Sequence, residues 1–310
     1  MNSLAVQLPQ ITLKNPVMPA SGTAAYGREM AQHMDLNCLG AFVIKSTTQT
    51  PRVGNPRPTT AQTSAGWLNA IGLKNPGIQS VCHQQLPWLA QHYPDLPIVG
   101  SVAGSTLDEY VTVAQQLAAV PNVAWLELNI SCPNVEQGGL AFGTDPKIVK
   151  KLTHAVQTAV NKPVFVKLTP NVTDIVTIAQ AAEQGGAAGL TLINTLTGLG
   201  FNLDTHQPLL AHGTGGLSGK AIHPLAIRMI RQVRTVSRLP IVGVGGIFSA
   251  DDVIEMFIAG ANAVQVGSAN YGQADACQQI ITALPAALKQ HHLTSLQALA
   301  DHILATVAPQ

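Results

Sequence analysis

The sequence predicts a single-domain α/β protein folded as a (β/α)8 (TIM) barrel. Eight short apolar runs recur along the 310 residues, and each ends in a glycine, a proline or a polar cluster. Segments with helical periodicity lie between most of these runs, and no linker rich in Pro, Gly or Ser divides the chain. Alternation of strand and helix repeated eight times is typical of the barrel. The alternative, an open doubly wound sheet, more often has about five or six strands.

The eight apolar runs are expected to be parallel strands. Most of them are continuous rather than alternating, which is the pattern of strands covered on both faces. They occupy residues 17–21, 41–46, 98–104, 125–131, 164–170, 189–195, 241–246 and 263–268.

The periodic segments between these runs are expected to form the outer helices. Clear examples are residues 106–120, 145–160, 173–186 and 223–237. Side-chain oxygens accept hydrogen bonds from the free N–H groups of a first turn, and glycine favours the left-handed position after a last turn. The predicted N-caps are Thr106 or Ser105, Asp145 and Ser249, and the predicted C-terminal caps are Gly185–Gly186 and Gly260.

Three segments fall outside the strand and helix repeat. Residues 1–16 precede the first strand, and we expect them to cover the bottom of the barrel. Residues 47–80 are too long for a simple connection, and such excursions are usually functional. Residues 132–144 contain Gly138, Gly139 and Gly143, which suit a hinged flap that excludes water. We therefore predict that 47–80 and 132–144 are both active-site excursions of the single domain 1–310.

The composition argues against some functions and indicates the cellular compartment. The 17 basic and 16 acidic side chains nearly cancel, and the ten histidines do not cluster, which argues against nucleic-acid binding. The opening MNSLAVQLPQ lacks the features of a signal peptide, and no run approaches the roughly 20 apolar residues of a membrane helix. The dispersed thiols suggest a reducing compartment, so we expect a cytoplasmic protein without its own metal site. These thiols are Cys38, Cys82, Cys132 and Cys277.

Polar residues and glycines stand at the predicted strand ends, where the active site of a barrel lies. Lys45 and Lys167 directly follow apolar strand residues, and because lysine is rarely buried unpaired they indicate an anionic or electron-rich ligand. GVGG (243–246) and VGSAN (266–270) each precede a helix. Backbone N–H groups at such positions favour a phosphate, although these glycines would also suit simple tight turns.

Cys132 lies in the stretch WLELNISCPN, just past the end of a predicted strand. A free cysteine is often only a small buried hydrophobe. Its position beyond the strand, with Pro133 restricting the backbone, instead favours a thiol presented to the site. No histidine neighbours it in the sequence, so we expect a general base rather than one member of a thiolate–imidazole pair.

Several stretches together resemble one known family. They are NISCPN, KSTTQTPRVGNPRP (45–58), LNAIGLKNPG (68–77), VKLTPN (166–171), LINT (192–195), TGGLSG (214–219), GVGG and QVGS. In this combination and order they resemble the dihydroorotate dehydrogenases, soluble class 1, from about Pro16 to Tyr271. The resemblance implies a barrel with one FMN per chain that oxidises (S)-dihydroorotate to orotate in pyrimidine biosynthesis.

The resemblance also implies roles for individual residues. Cys132 would take a proton from C5 of the substrate while C6 delivers hydride to flavin N5. The cofactor would be bound by Ser21, Lys45, Ser46, Ser101, Asn129, Lys167, Ile193, Gly219, Gly245, Gly246, Gly267 and Ser268. The substrate would be bound by Lys45, Asn69, Ala70, Ile71, Gly72, Leu73, Asn129, Asn194 and Thr195. At Ser101 the chain departs from the family, which commonly has Asn there. His206 and His212 are expected to be loop residues without a role.

Members of the family differ in their electron acceptor. The stretches LNAIGLKNPG and NVEQGGLAFG most resemble the NAD-dependent class 1B catalytic subunit. That type implies a homodimer core bound to an electron-transfer subunit carrying FAD and a [2Fe–2S] cluster, two copies of each chain in all. The alternative is a homodimer that uses fumarate. A dihydropyrimidine dehydrogenase-like flavoenzyme is a further alternative. Two alternatives lie outside the flavoenzymes. An aldolase or isomerase on a barrel would explain the glycines but not the cysteine. A non-enzymatic interaction protein would not need polar groups at the strand ends.

Overall fold

The computed structural model describes residues 3–131 and 142–309. Fourteen strands occur in this part of the chain: β1 (Val6–Leu8), β2 (Ile11–Leu13), β3 (Val17–Pro19), β4 (Phe42–Val43), β5 (Thr60–Thr63), β6 (Gly66–Asn69), β7 (Ile98–Val102), β8 (Val123–Asn129), β9 (Val164–Lys167), β10 (Gly189–Leu192), β11 (Leu196–Gly198), β12 (Gly215–Ser218), β13 (Ile241–Val244) and β14 (Ala263–Val266).

Ten α-helices accompany the strands in the described ranges: α1 (Gly77–Ser80), α2 (Leu86–His92), α3 (Leu107–Ala118), α4 (Pro146–Ala159), α5 (Ile175–Gln184), α6 (His223–Arg234), α7 (Ala250–Ala259), α8 (Ala269–Gly272), α9 (Ala276–Gln290) and α10 (Leu296–Val307). A π-helical turn, Val81–Gln85, joins α1 to α2. Short 3-10 turns occur at Met30–Gln32, Leu36–Cys38, Phe142–Thr144 and Lys220–Ile222.

Eight of the strands form the predicted barrel. They lie parallel in the order β3-β14-β13-β10-β9-β8-β7-β4, and each of the eight predicted runs contains one of them or, at β8, overlaps it. β3 and β4, at the two ends of this order, lie side by side where Gly40 N donates to Val17 O at 2.9 Å. Helices pack on the outside of the sheet, so β9, β10, β13 and β14 are buried along their whole length. The prediction of a (β/α)8 barrel is confirmed.

The helix caps follow the sequence pattern closely. Thr106 rather than Ser105 caps α3, since its hydroxyl accepts from Glu109 N at 3.2 Å. Asp145 caps α4, and Ser249 with Asp252 forms a capping box at the start of α7. At the end of α5 the left-handed backbone position falls on Gly186 (φ +93°), one residue beyond Gly185. Each periodic segment contains a helix shorter than predicted by a few residues, because cap residues flank a helix without belonging to it.

The N-terminal residues form an antiparallel hairpin of β1 and β2, with Val6 opposite Leu13. Its turn at Pro9 and Gln10 shares a shallow cavity with Pro163 and Ala188, which immediately precede β9 and β10. The hairpin therefore lies at the end of the barrel that the strands enter, opposite the end where active sites form.

A second, antiparallel sheet of four strands is built from two long connections. Its order is β11-β12-β6-β5, so the excursion 47–80 and residues 196–218 pair with each other, with Leu217 opposite Leu68. Of the excursion 132–144, only Phe142–Thr144 lies in the described part of the chain. In the described ranges, no helix combines the length and the apolar character needed to cross a bilayer.

Candidate active site

A cavity of about 320 Å³ opens at the C-terminal ends of the barrel strands. Every barrel strand except β7 contributes a wall residue at or just beyond its end, and β6 with the residues after it supplies another wall. The volume lies within the range typical of small-ligand and cofactor sites.

Most residues predicted for the site line this cavity. Of the residues predicted to bind the cofactor, the wall contains Ser21, Lys45, Ser46, Asn129, Lys167, Ile193, Gly219, Gly245, Gly246, Gly267 and Ser268. Of those predicted to bind the substrate, it contains, besides Lys45 and Asn129, Asn69, Ala70, Ile71, Gly72, Leu73, Asn194 and Thr195. The barrel thus brings together residues that are as far apart in the sequence as Ser21 and Ser268.

Ser101 is the exception among the described residues, because it is fully buried and absent from the cavity wall. Its hydroxyl lies 2.9 Å from Ser46 Oγ, and Ser46 Oγ lies 3.1 Å from Ser21 Oγ. A serine side chain is too short to reach past Ser46, where the longer asparagine common in the family would extend further. Ser101 therefore supports Ser46 from behind instead of lining the site.

Two asparagines meet in the centre of the wall. Asn194 Nδ2 donates to Asn129 Oδ1 at 3.1 Å, and Asn129 Nδ2 donates to Ser46 Oγ at 3.3 Å. Below them the hydroxyl of the buried Tyr110 donates to Asn129 O at 2.6 Å. The bond from Tyr110 fixes the backbone of Asn129, and the bonds with Asn194 and Ser46 fix the orientation of its amide. On the opposite wall, Asn69 Nδ2 donates to Gly216 O at 3.1 Å, which fixes the start of the predicted substrate segment.

The cation at the floor of the cavity is part of a buried polar network. Lys167 Nζ lies 3.6 Å from Glu127 Oε1 and donates to Gln265 Oε1 at 3.2 Å. Gln265 Nε2 and Thr191 Oγ1 both donate to Glu127 Oε2. None of the four residues is more than 5% exposed. β14 stands opposite β8 in the barrel, so Gln265 connects two facing walls.

Sequence reasoning missed Glu127 and Gln265, although a signal was present. Each is a strongly polar residue within an otherwise apolar run, WLELN and AVQVGS. Such residues are almost never fully buried without partners. Tyr271 was also missed; it lines the cavity, and its ring packs edge-on against Trp67 with 5.6 Å between centroids.

The glycines after β13 and β14 form a cradle with free backbone donors. Gly245 and Gly246 have positive φ, and an added Cβ on Gly246 would lie 2.6 Å from His223 Cβ, so this turn requires glycine. A Cβ on Gly267 would meet no protein atom within 4 Å, because that side of the residue is open. In the described ranges, the backbone N–H groups of Gly246, Gly267 and Ser268 have no acceptor. Gly246 and Gly267 are half-buried, and free backbone donors grouped just before a helix favour an anion, so this cradle suits a phosphate.

Cys132 lies outside the described residues, as do Gly138 and Gly139. Ser131, the residue before Cys132 in the sequence, lines the cavity. Gly143 N donates to Ile130 O at 2.7 Å, so the described residues on the two sides of 132–141 are joined by a hydrogen bond.

His206 and His212 lie in the connection between β11 and β12, away from the cavity wall. In the described residues no group of three or more His, Cys, Asp or Glu side chains is arranged to hold a metal ion.

The fold and the site together define a barrel enzyme with a glycine-lined cradle, a buried cation and an amide cluster around one cavity. The family model described as dihydroorotate dehydrogenase matches residues 3–288. The chain belongs to the dihydroorotate dehydrogenase family and is an oxidoreductase. The prediction made from NISCPN and the other stretches is confirmed at this level.

Similar proteins carry two different names within the family. A protein of Lactiplantibacillus plantarum named dihydroorotate dehydrogenase A (fumarate) is 68% identical over 98% of this chain and 99% of its own length. One of Limosilactobacillus reuteri with the same name is 56% identical over 94% of this chain and 96% of its own. The dihydroorotate dehydrogenase B (NAD(+)) catalytic subunit of Anoxybacillus flavithermus is 57% identical over 94% of this chain and 92% of its own. The highest of these identities favours the fumarate alternative over the NAD-linked type.

Proposed function

We propose that this chain binds one FMN in the barrel cavity and oxidises (S)-dihydroorotate to orotate, with fumarate as the electron acceptor. The observation that carries the proposal is the 68% identity, over 98% of the chain, to a protein named for fumarate. The match extends over 303 residues, almost the whole of both chains, and this supports the same electron acceptor in both proteins. The B-type relative shares fewer residues over a slightly shorter match.

FMN is supported by the composition of the cavity wall. The cradle of Gly245, Gly246, Gly267 and Ser268 offers donors to one phosphate, and no second phosphate motif accompanies it, which favours FMN over FAD. Ser21, Ser46 and Ile193 would lie along the ring system. When bound, FMN would supply the acceptor for the hydride that leaves C6 of the substrate.

The substrate would be oriented by the amides of Asn69, Asn129 and Asn194, with Thr195. Orotate and dihydroorotate carry a carboxylate and a ring of alternating carbonyl and N–H groups, and amide side chains provide both donors and acceptors. The backbone of 70–73, held by the hydrogen bond from Asn55 Nδ2 to Ala70 O at 3.0 Å, would close the far side of the ring. Lys45, in the wall beside these groups, would balance the charge of the carboxylate.

Cys132 would act as the general base that removes the proton from C5. The proposal is supported by its place in the sequence, one residue after Ser131 of the cavity wall. Lys167, held by Glu127 and Gln265, would place a positive charge at the cofactor and favour the ring in its reduced, anionic form. The chain itself thus supplies proton removal, orientation and charge.

The experiment uses the purified chain without any partner. The protein should be yellow, the colour should bleach when dihydroorotate is added without oxygen, and fumarate should restore it over repeated turnovers. Reduction by dihydroorotate without reoxidation by fumarate would remove the fumarate assignment and keep the dihydroorotate chemistry. No reduction by dihydroorotate would overturn the proposal as a whole.

The NAD-linked type remains the second candidate, because a B-type catalytic subunit is 57% identical over 94% of the chain. In that case fumarate would fail, and NAD⁺ would be reduced only after an FAD- and [2Fe–2S]-carrying subunit is added. Absorbance spectra of the same preparation, recorded first with fumarate and then with NAD⁺ and the added subunit, distinguish the two types.

A further inference from the structure

His223 is a buried histidine outside the cavity. Neither the sequence pattern nor the proposed chemistry gives it a role. It is the first residue of α6 and is 8% exposed. Its side chain lies behind the turn of Gly245 and Gly246, with Nδ1 2.8 Å from Gly245 O. A carbonyl oxygen only accepts, so Nδ1 carries the hydrogen and donates to this carbonyl.

This bond sets the direction of the peptide unit between Gly245 and Gly246. The cis peptide bonds among the described residues lie elsewhere, so this unit is trans. In a planar trans peptide the carbonyl and the N–H point in opposite directions. The Gly245 carbonyl points to His223, and therefore the Gly246 N–H points away from it. Both glycines line the cavity, and in the described ranges this N–H has no acceptor in the protein.

The turn needs such a restraint because glycines alone do not define it. Gly245 and Gly246 have φ of +133° and +67°, and residues without a Cβ also populate other conformations readily. A hydrogen bond from a fixed ring would select the rotation in which the N–H faces the cavity before any ligand binds.

The imidazole is itself held on its other side by α7. Its Nε2 lies 3.2 Å from Glu255 Oε2 and 3.9 Å from Asp252 Oδ1. Asp252 Oδ2 accepts from Phe248 N and Ser249 N, both at 2.8 Å, so the same carboxylate also ties down the residues that follow the glycine turn. The ring is fixed between α7 and the turn.

We propose that His223 is a positioning residue for the cofactor phosphate: through Nδ1–H and the Gly245 carbonyl it aims the Gly246 N–H at the phosphate. This inference rests on the proposed binding of FMN. It assigns His223 an effect on the phosphate alone, because the ring of the flavin would lie against the walls proposed for it, formed by residues such as Ser21, Ser46 and Ile193. A histidine that only packed behind the turn would instead affect every ligand, or the stability of the chain.

The test compares FMN with riboflavin, which has the same ring system and no phosphate. The full chain is freed of FMN, and the dissociation constants of both flavins are measured by fluorescence for wild type, His223→Asn, His223→Gln and His223→Ala. Asparagine places an N–H close to the position of histidine Nδ1, whereas glutamine places one near Nε2, facing Glu255. Asn and Gln are therefore a matched pair that separates the bond to Gly245 from the contact with α7.

We expect the preference for FMN over riboflavin to stay near the wild-type value in His223→Asn. It should fall about 10- to 100-fold in His223→Gln and His223→Ala, the size expected for one hydrogen bond to a charged group. Riboflavin affinity should be the same in all four proteins. The ³¹P resonance of bound FMN should move toward that of free FMN in the glutamine and alanine variants.

Three results would overturn the inference. They are an unchanged FMN preference in all variants, an equal loss of both flavins, and an asparagine variant as impaired as the alanine variant. If wild-type protein binds FMN tightly and only these comparisons fail, the proposed function stands. If wild-type protein does not bind FMN, both the function and the role of His223 fail.

Discussion

At the scale of single residues, the charge of Lys167 is balanced within the barrel by Glu127. Both side chains are almost completely buried and their charged atoms lie 3.6 Å apart. Removing two charges from water costs about as much as their attraction returns, so a buried pair is weak evidence of a stabilising role. The network is better explained by the site, because it holds a cation at the cavity floor that a cofactor would need.

This pairing makes a prediction about stability. Lys167→Met should lower the free energy of unfolding by about 3–5 kcal/mol, because it leaves Glu127 as a buried, uncompensated charge. Adding Glu127→Gln to the same chain should recover most of the loss, while FMN binding stays impaired in both variants. Urea unfolding of the cofactor-free proteins measures the first effect, and flavin content after purification measures the second. Equal stability of the single and double variants would show that the pair is not coupled.

The second prediction at this scale concerns Cys132. Cys132→Ala should retain FMN, while its reduction by dihydroorotate in the absence of oxygen should slow by about 10²–10⁴-fold, the usual contribution of a general base. Cys82→Ala is the matched control, since Cys82 is a half-buried thiol whose Sγ contacts Gln116 O at 3.8 Å, away from the cavity wall. Stopped-flow absorbance of the flavin measures both rates. Equal rates in wild type and the Cys132 variant would exclude this thiol as the base.

At the scale of elements, the connections after β13 and β14 have different constraints although both contain glycine. Gly246 has a positive φ and no room for a Cβ, so its glycine serves the fold. Gly267 has no positive φ and open space where a Cβ would be, so nothing in the protein itself requires glycine there. Any limit on the size of the side chain at position 267 would therefore come from a ligand in the cavity that Gly267 lines.

The two glycines after β14 provide a matched comparison. Gly267→Ala should leave the thermal stability of the cofactor-free chain unchanged and weaken FMN binding, because the new methyl group projects into the phosphate cradle. Gly272→Ala should change neither property, since Gly272 is also open to a Cβ but does not line the cavity. Calorimetric melting measures the thermal stability of the variants, and FMN titration measures their affinity for the cofactor. Undiminished FMN binding in Gly267→Ala would place the phosphate elsewhere.

At the scale of the whole molecule, the cavity is covered by a sheet that the barrel pattern does not contain. The hairpin of β5 and β6 joins the hairpin of β11 and β12 through the pairing of β6 with β12, so two connections more than 100 residues apart form one wall above the strand ends. Phe201 and Leu203 belong to the connection within this sheet and are 53% and 85% exposed. This connection therefore exposes two large apolar side chains among mostly polar neighbours.

The proposed fumarate type predicts a simple composition for the whole enzyme. Extraction of the purified chain should yield FMN in a ratio of one per chain, without FAD and without iron, and the protein should sediment as a dimer. Chromatography of the released flavin, metal analysis and analytical ultracentrifugation measure these three properties. Iron or FAD in stoichiometric amounts would point to a partner subunit retained from the B-type assembly.

The sequence alone determined the barrel, its strand ends and most of the cavity wall. These are local properties: a continuous apolar run, a cap residue and a glycine before a helix each act within a few positions of the chain. Once eight such runs are parallel, the fold itself requires that their C-terminal ends meet. Lys45, Asn129 and Gly246 were therefore predictable as residues of one cavity wall from their positions in the runs.

Only the tertiary structure decided which side chains are partners. Glu127 meets Gln265 across 138 positions of the chain and Lys167 meets Gln265 across 98, pairings that no local pattern specifies. The same holds for Ser101 behind Ser46, and for His223 behind the glycine turn. Hydrogen bonds act over about 3 Å, so these partners are selected only when the barrel closes and brings specific strands and helices face to face.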